Sequence, residues 1–399
     1  MTVDGRPRAR AAVLRALTEA GAISRAELAR RTGLAPSTIS AVVGELAAEG
    51  LVGERGRPVA VAGAGAALGR PGTLVALQRR AGTVLGVDFG KRHVRVAVAD
   101  LAHAVLAERA RVVAEDLPAA EAIVVAAELA DSALADAGAT RADVTAAGMG
   151  LPGPIHAGTG ELGDSTILPG WVGVRAADEL RAALGLPVEI GNDANLGALS
   201  EWRWGAGRGA RDLVYVKAST GIGAGLILGG RPYHGSGGTA GEIGHTVIDP
   251  RGSICRCGNR GCLETIAGVP AVLGALREAR GESLTIGEAL ARAAAGDTGC
   301  ARAIADAGRA IGTAVATVDN LVNPSRVVVG GDLAPAGDLL LGPLREALRL
   351  AAIRSAAADA EVVAAALGER AEVLGAVALA LERGVDHVLD QAAWFNPRP

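Results

Sequence analysis

The sequence is poor in aromatic residues and has no long apolar run. Its 399 residues include four Trp, two Tyr and two Phe, so Trp171, which could stack on a ligand, is more readily interpreted as a core residue. Arg, Asp, Glu or Gly interrupts the apolar stretches well before the roughly 18 residues that cross a bilayer. The sequence also lacks the charged start and apolar core of a secretory signal. We therefore expect a cytoplasmic protein with no membrane partner.

Cysteine is also scarce, and three of the four cysteines lie close together. Cys255, Cys257 and Cys262 fall within eight positions and follow His245. Thiolate and imidazole ligands suit tetrahedral zinc, whose structural sites commonly combine three Cys with one His. The spacing predicts a structural Zn²⁺ site formed by these four residues. The alternatives are that the cysteines are small apolar residues or that two of them pair, and Cys300 is left as a buried thiol.

Charge is distributed unevenly between the start of the chain and the rest. Residues 1–80 carry twelve Arg and six acidic residues, a net charge of +6. The whole chain carries −3, which leaves −9 for the remainder. A length of 399 residues is typical of two to three domains at about 150 residues each. A basic N-terminal domain before an acidic body indicates that the N-terminal domain meets a polyanion.

Periodic apolar residues predict three short helices at the N-terminus. The first runs from Arg8 to Ala20 and ends at a glycine. A capping box over Ser24–Glu27 begins the second helix, which stops at Thr32–Gly33. Pro36 opens the third helix, which runs to Glu49–Gly50. The third helix has a predicted buried stripe formed by Ile39, Val42, Val43 and Leu46.

Two short β segments, Leu51–Val52 and Thr73–Leu77, follow the helices. Three helices with a tight turn before the last, then a hairpin, are typical of a winged helix-turn-helix domain. Ser37, Thr38 and Ser40 would then lie at the exposed start of the recognition helix, where hydroxyls reach base edges or phosphates. A small helical protein-binding domain is the alternative.

The tip of the predicted hairpin, about Glu54 to Gly72, contains Gly-Arg-Pro twice. Arg57 and Arg70 in these triplets are candidates to enter the minor groove, where the negative potential favours arginine. The triplets can equally be turn chemistry in a flexible linker. The candidate DNA-binding residues are therefore Ser37, Thr38, Ser40, Arg57 and Arg70.

From Thr83 onward, strands with glycine-rich turns alternate with alanine-rich helices, which predicts an α/β body. Strand ends are where α/β folds bind ligands. Four of the predicted strands end in polar or glycine-rich segments, which are Asp88–Gly90, Gly191–Asn195, Ser219–Gly225 and Gly330–Asp332. The free amides of Ser219–Gly225 could hold an anion, and Gly330–Asp332 could leave room for a flat base or a ribose.

Three separated motifs in the body resemble the ROK family of sugar kinases and sugar-responsive repressors. The motifs are Gly244–His245 followed by Cys255–Glu264, then Gly191–Asn195, and Thr220–Gly225. With its N-terminal domain, the whole chain resembles the repressor branch of the family, which includes xylose-type regulators. The resemblance implies an α/β actin-like, ribonuclease-H-like body of two lobes behind a winged helix-turn-helix domain.

This resemblance sets the expected domain boundaries. The DNA-binding domain would span residues 1–80, with its wing and linker at about 54–80, and the sugar-binding body would span 81–399. Lobe one of the body would comprise about 81–195 together with a C-terminal helix at about 369–390. Lobe two would comprise about 196–368.

The resemblance also implies a sugar-binding set of carboxylates, an amide and an imidazole, which are Asn192, Asp193, Glu242, His245 and Glu264. Such groups bind vicinal hydroxyls in a dry cleft. His245 would place one ring nitrogen on zinc and offer the other to a hydroxyl, which fixes its tautomer. Glu264 has the alternative role of supporting the zinc site.

In kinases of this family, Asp193 would be the base that takes the proton of the sugar hydroxyl, while glycine-rich loops hold ATP. The residues that match those loops are Asp88, Gly90, Thr220, Gly221, Gly223, Gly330 and Gly331. The first loop departs from the kinase pattern Asp-x-Gly-Gly-Thr, because it reads Asp88-Phe89-Gly90-Lys91-Arg92. Lysine in place of glycine narrows the turn, and arginine in place of threonine removes a small hydroxyl donor. We therefore expect a weak or vestigial nucleotide site.

The sequence indicates two possible functions. The first, which the altered loop favours, is a sugar-responsive repressor that binds operator DNA as a homodimer or homotetramer. It would hold structural zinc and would not be an enzyme. The second is an ATP-dependent kinase of a hexose or an amino sugar, alone or combined with DNA binding, which would require ATP and Mg²⁺.

Overall fold

The N-terminal head is built from short helices and a small sheet. The computed structural model of the chain describes residues 5–55, 73–115, 117–156, 159–163 and 167–394. Within these ranges the elements of the head are α1 (Gly5–Ala20), β1 (Ala22–Ser24), α2 (Arg25–Thr32), α3 (Pro36–Ala48), β2 (Val52–Arg55) and β3 (Leu74–Leu77). All three helices predicted from the apolar periodicity are confirmed.

The helices of the head begin and end at turn-forming residues. α1 ends at Gly21, whose φ of +75° lies in the left-handed region that favours glycine. At the start of α2, Oγ of Ser24 accepts a hydrogen bond from the backbone N–H of Glu27 at 3.2 Å. The other half of the predicted capping box is wrong, because the Glu27 carboxylate accepts from Nε of Arg31 at 2.9 Å. The backbone of Ser24 is instead engaged in β1, where it pairs with Leu74.

The predicted hairpin of the head is confirmed as β2 and β3, which pair antiparallel. β1, which was not predicted from the sequence, pairs with the other edge of β3 and gives the strand order β1-β3-β2. Three residues are too few to show an alternating apolar pattern. The predicted buried stripe of α3 is confirmed at all four of its positions. Arg57 and Arg70 of the proposed wing lie outside the described residues.

The first lobe of the body is a five-stranded sheet covered by helices. Its elements are β4 (Thr83–Gly90), β5 (His93–Asp100), β6 (Val105–Val112), α4 (Ala119–Ala137), β7 (Val144–Leu151), α5 (Ala176–Leu184), β8 (Val188–Asn192) and α6 (Asp193–Trp204). The strand order is β6-β5-β4-β7-β8. β4 runs parallel to β7, and β7 runs parallel to β8, so these three strands end at the same edge of the sheet. α4 and α5 pack on one face, where Trp171 is a buried core residue against Phe89, as predicted.

The second lobe is another five-stranded sheet, and the chain returns from it to the first lobe. Its elements are β9 (Leu213–Ala218), β10 (Ile222–Leu228), β11 (Arg231–Tyr233), α7 (Glu264–Ala267), α8 (Val269–Arg280), α9 (Ile286–Ala294), α10 (Thr298–Val322), β12 (Arg326–Gly330), α11 (Asp338–Ala351), α12 (Arg354–Asp359) and β13 (Glu361–Ala364), followed by α13 (Ala371–Trp394). The strand order is β11-β10-β9-β12-β13. The two-lobed α/β body predicted from the sequence is therefore confirmed.

The last helix packs back on the first sheet, as predicted. α13 crosses β4 and β7 so closely that a Cβ on Gly86 or Gly148 would meet its backbone. α6 packs beside α13 and also covers β9 and β10 of the second sheet. α6 and α13 thus lie between the two sheets, and both begin at the cleft between the lobes.

One glycine-rich turn is shorter than predicted. Ser219–Gly225 was expected to be a continuous turn, but Ile222–Leu228 forms β10 and Gly223 pairs with Lys217 of β9. A Cβ on Gly225 would meet the backbone carbonyl of Ala194 in α6. Glycine in this strand therefore allows the close approach of a helix rather than the binding of an anion.

The head and the body share one apolar cluster. Leu14 and Leu17 of α1 belong to it, together with Leu101 from the body and Val377 and Leu381 of α13. Burial of this shared surface holds the head against the first lobe.

Across the described part of the chain, the helices fall short of the combined length and hydropathy that a membrane span requires.

Candidate metal site and ligand cleft

The four predicted metal ligands come together in the loop that joins β11 to α7. One ligand atom from each of His245, Cys255, Cys257 and Cys262 lies within 4.8 Å of the others. Isolated β-bridges, Val247 to Cys262 and Ile254 to Arg260, close the loop on itself. The loop turns at Gly261, whose φ is +68° and where a Cβ would overlap the carbonyl of Asp249, so only glycine fits.

The donor set fits a tetrahedral metal ion. Sγ of Cys257 and Sγ of Cys262 are 3.7 Å apart, which matches the roughly 3.8 Å between two sulfurs at about 2.3 Å from one zinc. Sγ of Cys255 lies 3.5 Å from Nδ1 of His245. All three cysteines are free thiols, and a disulfide would require a sulfur separation of about 2.05 Å. The alternative in which two of them pair is therefore wrong, and Nδ1 of His245 faces the sulfurs.

The amide of Asn192, from the predicted sugar-binding set, is already engaged by the backbone. Asn192 is the N-cap of α6, and its Oδ1 accepts from the backbone N–H groups of Ala194 at 3.0 Å and Asn195 at 3.2 Å. Its Nδ2 donates to the carbonyl of Gly153 at 2.9 Å. These bonds fix the first turn of α6 against the loop that follows β7.

Asp193, the first residue of α6, is held in a buried ion pair. Its Oδ1 accepts from the backbone N–H of Ala194 at 2.8 Å, and its Oδ2 accepts from Nζ of Lys217 at 2.8 Å. The same Nζ lies 3.1 Å from Oε1 of Glu372, the second residue of α13. The three side chains are 13%, 19% and 8% exposed for Asp193, Lys217 and Glu372. An ammonium ion from the second lobe therefore bridges the starts of the two helices that lie between the lobes.

Burial alone would lower the pKa of Lys217, but the carboxylates of Asp193 and Glu372, with Asp88 nearby, raise it well above the ordinary lysine value. Lys217 is therefore charged at neutral pH. Sequence reasoning missed this residue. The available signal was its rarity, because Lys91 and Lys217 are the two lysines of a chain whose other basic residues are arginine, and Lys217 interrupts an apolar strand.

The side chain of His93 lies over the first predicted nucleotide loop. Nε2 of His93 lies 2.8 Å from Oδ2 of the buried Asp88. A Cβ on Gly90 would overlap the imidazole ring of His93, so this ring covers the loop. Burial opposes ionisation of Asp88, yet the hydrogen bond and charge of His93 lower its pKa. Lys91 and Arg92 point to Glu115, each at 3.7 Å.

The other predicted nucleotide residues lie on the second sheet. Thr220 and Gly221 form the turn after β9, and Gly330 and Gly331 follow at the end of β12. The two turns contact each other, since a Cβ on Gly331 would meet Ser219. The ring of Tyr215 fills the space beside Gly330.

A cavity of about 290 Å³ lies between Lys91 of the first loop, Thr220 of the turn after β9, and the end of the metal-binding loop. It is lined by Lys91, Ile167, Thr220, Arg256, Glu264, Thr265, Pro270 and Ala271. Oε2 of Glu264 accepts from the guanidinium of Arg256 at 2.6 Å. Glu242 is half-buried nearby, and burial followed by the charge of Asp193 raises its pKa. Of the five predicted sugar-binding residues, Glu264 lines this cavity. The charges of Asp193 and Glu264 both act on Glu242, and Asn192 caps the helix that begins with Asp193.

The predicted recognition helix of the head presents two of its three hydroxyls freely. Ser37 is exposed and Thr38 is half-buried at the start of α3. Oγ of Ser40, although exposed, donates to the carbonyl of Pro36 at 3.0 Å and is engaged within the helix.

Comparison with known families agrees with this architecture. Residues 84–383 match the ROK family, and residues 4–60 match the MarR family. The chain therefore belongs to the ROK family. It combines the actin-like, two-lobed body of that family with a winged helix-turn-helix head, which confirms the fold class expected from the sequence.

The matches to individual relatives cover different shares of this chain. The chain is 27% identical over 384 residues to the xylose repressor of Caldicellulosiruptor bescii, a match that covers 92% of this chain and 94% of that protein. It is 36% identical over 251 residues to the glucokinase of Thermotoga maritima, which covers 59% of this chain and 79% of that protein. The crystal structure of a ROK family transcriptional regulator, a homologue of the E. coli MLC protein, gives a TM-score of 0.77 at 26% identity and covers 98% of this chain and 99% of that one. The similarity to this repressor and this regulator thus includes the head, whereas the glucokinase match spans a smaller part of the chain.

Proposed function

We propose that the chain is a transcriptional repressor that senses a sugar or sugar derivative in its cleft and does not transfer phosphate. One observation carries the proposal. The two acidic residues that a kinase would use, Asp88 and Asp193, are each bonded to a side chain of the protein itself, Asp88 to His93 and Asp193 to Lys217. Each expected domain would have one role: residues 1–80 would bind operator DNA in the cytoplasm, and residues 81–399 would bind the sugar.

The sugar would be held by Asn192, Asp193, Glu242, His245 and Glu264. A carboxylate can accept several hydrogen bonds, so Asp193 can bind a hydroxyl while it keeps Lys217. Because Nδ1 of His245 faces the cysteine sulfurs, Nε2 is the ring nitrogen available to a hydroxyl. Structural Zn²⁺ would be held by His245, Cys255, Cys257 and Cys262, and it would supply a fixed imidazole orientation.

A kinase is the second candidate function, because the loop residues Thr220 and Gly221 and the base Asp193 are retained. Phosphoryl transfer depends on a positioned base and on charge stabilisation of the phosphates. The base here already accepts from an ammonium ion, and His93 covers the first loop. A coupled nucleotide-release assay over a panel of hexoses, pentoses and amino sugars distinguishes the functions, and we expect no turnover above background. Turnover that disappears in Asp193→Asn would establish the kinase.

Sugar binding is tested by thermal unfolding with a sugar panel. A ligand that binds the folded state at 100 times its Kd adds about 2.7 kcal/mol, which raises Tm by about 5–10 °C. We expect Asp193→Asn to weaken sugar binding about 10- to 100-fold, because a neutral amide, whose NH2 group cannot accept a hydrogen bond, replaces a charged acceptor. The matched control is Asp306→Asn, an exposed carboxylate paired with Arg309, which should respond to sugar as the wild type does. An Asp193→Asn variant with unchanged sugar affinity would contradict the assigned site.

DNA binding would use Ser37 and Thr38 of α3, with Arg57 and Arg70 of the wing. Ser40, the third hydroxyl predicted from the sequence, is already engaged by the carbonyl of Pro36. Helix-turn-helix dimers read half-sites about one helical turn, or a multiple of it, apart. A homodimer or homotetramer on a palindromic operator is therefore part of the proposal. The sugar would act by binding the DNA-competent and the DNA-incompetent states with different affinities.

The hydroxyls of α3 give a graded test of DNA contact. We expect Ser37→Ala to weaken binding to the DNA upstream of the gene about fivefold, since one hydrogen bond contributes about 1 kcal/mol. Ser40→Ala should change it less than twofold, because the Ser40 hydroxyl already donates to Pro36. Fluorescence anisotropy with labelled DNA measures both. Equal losses in the two variants would contradict the assignment.

A further inference from the structure

His103 lies at the contact between the head and the body, in the turn that joins β5 to β6. Its φ of +68° is in the left-handed region, where a residue with a side chain is rarely found. The turn is fixed by Asp100, whose Oδ1 accepts from the backbone N–H groups of Ala102 at 3.0 Å and Ala104 at 2.8 Å. A histidine held in this conformation has its ring position set by the surrounding structure.

Both ring nitrogens of His103 have partners on different parts of the molecule. Nε1 of Trp204, the last residue of α6, approaches Nδ1 at 3.4 Å, with the two rings 5.5 Å apart and edge to face. An indole N–H can only donate, so Nδ1 accepts and Nε2 carries the proton. Nε2 donates to the carbonyl of Thr18 in α1 of the head. Burial, followed by the charge of Arg203, lowers the pKa of His103 to about 4, which agrees with this neutral tautomer.

The acceptor of that bond is a carbonyl at the end of a helix. Thr18 lies in the last turn of α1, where carbonyls have no partner within the helix. The neighbouring carbonyl of Leu17 accepts from the backbone N–H of Gly21 at 2.8 Å. His103 therefore caps the C-terminus of a head helix from the body, and Gly21 leaves room for its ring, since a Cβ there would lie 3.3 Å from Nδ1.

The other partner of His103 connects it to the ligand cleft. α6 begins with Asp193, which is bonded to Lys217, and ends with Trp204. Its twelve residues span about 18 Å at 1.5 Å per residue. α13 runs beside it in the same direction, because Glu372 meets Lys217 at one end and Glu382 pairs with Arg203 at 2.6 Å near the other. Because α13 supports α6 at both ends, a displacement of the first turn of α6 would also displace Trp204.

We propose that His103 is a positioning residue that couples the ligand cleft to the head, through α6 and Trp204 on one ring nitrogen and through Thr18 on the other. This inference rests on the proposed function, since it names the route by which sugar in the cleft changes DNA binding. Displacement of the Trp204 indole releases or realigns the imidazole, and the C-terminal turn of α1 then loses its cap. The orientation of the head on the body changes with it.

The test compares two indoles of the same helix. Trp204→Phe keeps an aromatic ring but removes the N–H that meets His103. Trp202→Phe is the matched control, because Nε1 of Trp202 donates to the carbonyl of Ala210 within the body at 2.9 Å. His103→Asn is the third variant, since asparagine tolerates a left-handed backbone but is too short to reach both partners. The probe is D-xylose or D-glucose, whichever stabilises the wild type.

Two readouts are measured for each variant. The first is the ratio of operator Kd with and without saturating sugar, and the second is amide hydrogen exchange at residues 17–21 with and without sugar. We expect sugar to change both in the wild type and in Trp202→Phe. In Trp204→Phe and His103→Asn the ratio should fall at least fivefold towards one, with the exchange insensitive to sugar and the Kd for sugar within twofold of the wild type.

The outcomes separate this inference from the proposed function. If the Trp204→Phe and His103→Asn variants keep the sugar-dependent ratio of the wild type, the coupling through His103 is overturned while the repressor function stands. If sugar binds the wild type without changing its operator Kd, the proposed function is overturned. Exchange at residues 17–21 that is insensitive to sugar in the wild type would overturn the coupling on its own.

Discussion

Replacing Lys217 with methionine lowers the free energy of unfolding by about 3–5 kcal/mol, the usual effect of removing one partner from a buried ion pair. The ammonium group of Lys217 lies between Asp193 and Glu372, and without it their carboxylates share a buried site with no cation. Burial already raises the pKa of Glu372, so this residue should take up a proton in the variant. Urea unfolding followed by circular dichroism measures the loss, and a more acidic buffer should recover part of it.

The matched control is the other lysine of the chain. Nζ of Lys91 lies 3.7 Å from Glu115 at a partly exposed site, where an ion pair contributes about 1 kcal/mol or less. Lys91→Met should therefore unfold at nearly the wild-type urea concentration. Equal stability of Lys217→Met and Lys91→Met would show that the bridge between the lobes does not contribute to stability.

Loss of the metal should have a comparably large effect. Elemental analysis of the purified chain should find one zinc per chain, and Cys262→Ala should lose it, because this residue is a fully buried member of the four-ligand cluster. Structural zinc sites contribute directly to folding, so we expect Tm to fall by about 10 °C, which corresponds to about 3–5 kcal/mol in a domain of this size. Sugar binding should weaken with it, since His245 would lose its fixed orientation.

Cys300→Ala is the control for the metal experiment. Cys300 is also a fully buried thiol, but it lies in α10, outside the cluster. This variant should keep its zinc and its sugar response and lose only the stability expected for a small core truncation. A chain that is fully folded, binds sugar and contains no metal would contradict the zinc proposal.

Local signals allowed much of this structure to be predicted. The metal cluster was predictable because four ligands lie within eighteen residues, so the chain needs only tight turns to bring them together. The helices of the head were predictable because Gly21, Ser24 and Pro36 are local stop and start signals. The ends of β8 and β12 were predictable because glycine and polar residues interrupt the apolar runs there, whereas Ser219–Gly225 was wrongly extended because glycine within β10 resembles a turn.

The parts that could not be predicted depend on contacts between distant residues. The bridge from Lys217 to Asp193 and Glu372 joins β9, α6 and α13, and no local pattern relates them. The contact between His93 and Asp88 is local, since the two residues are five positions apart. It was still not predicted, because it depends on the hairpin that pairs Gly90 with His93 and places the imidazole ring over Gly90. The same limit applies to His103, whose partners Thr18 and Trp204 are 85 and 101 residues away.

Sugar bound in the cleft is expected to change how tightly the head binds DNA. The most direct measurement is an anisotropy titration of the full chain on DNA from upstream of its gene, at moderate salt, with and without the sugar that gives the largest thermal shift. We expect nanomolar-range binding whose Kd changes at least fivefold with sugar in the wild type but not in Asp193→Asn. A wild-type chain that binds the sugar yet holds the DNA with an unchanged Kd, or that does not bind the DNA, would contradict it.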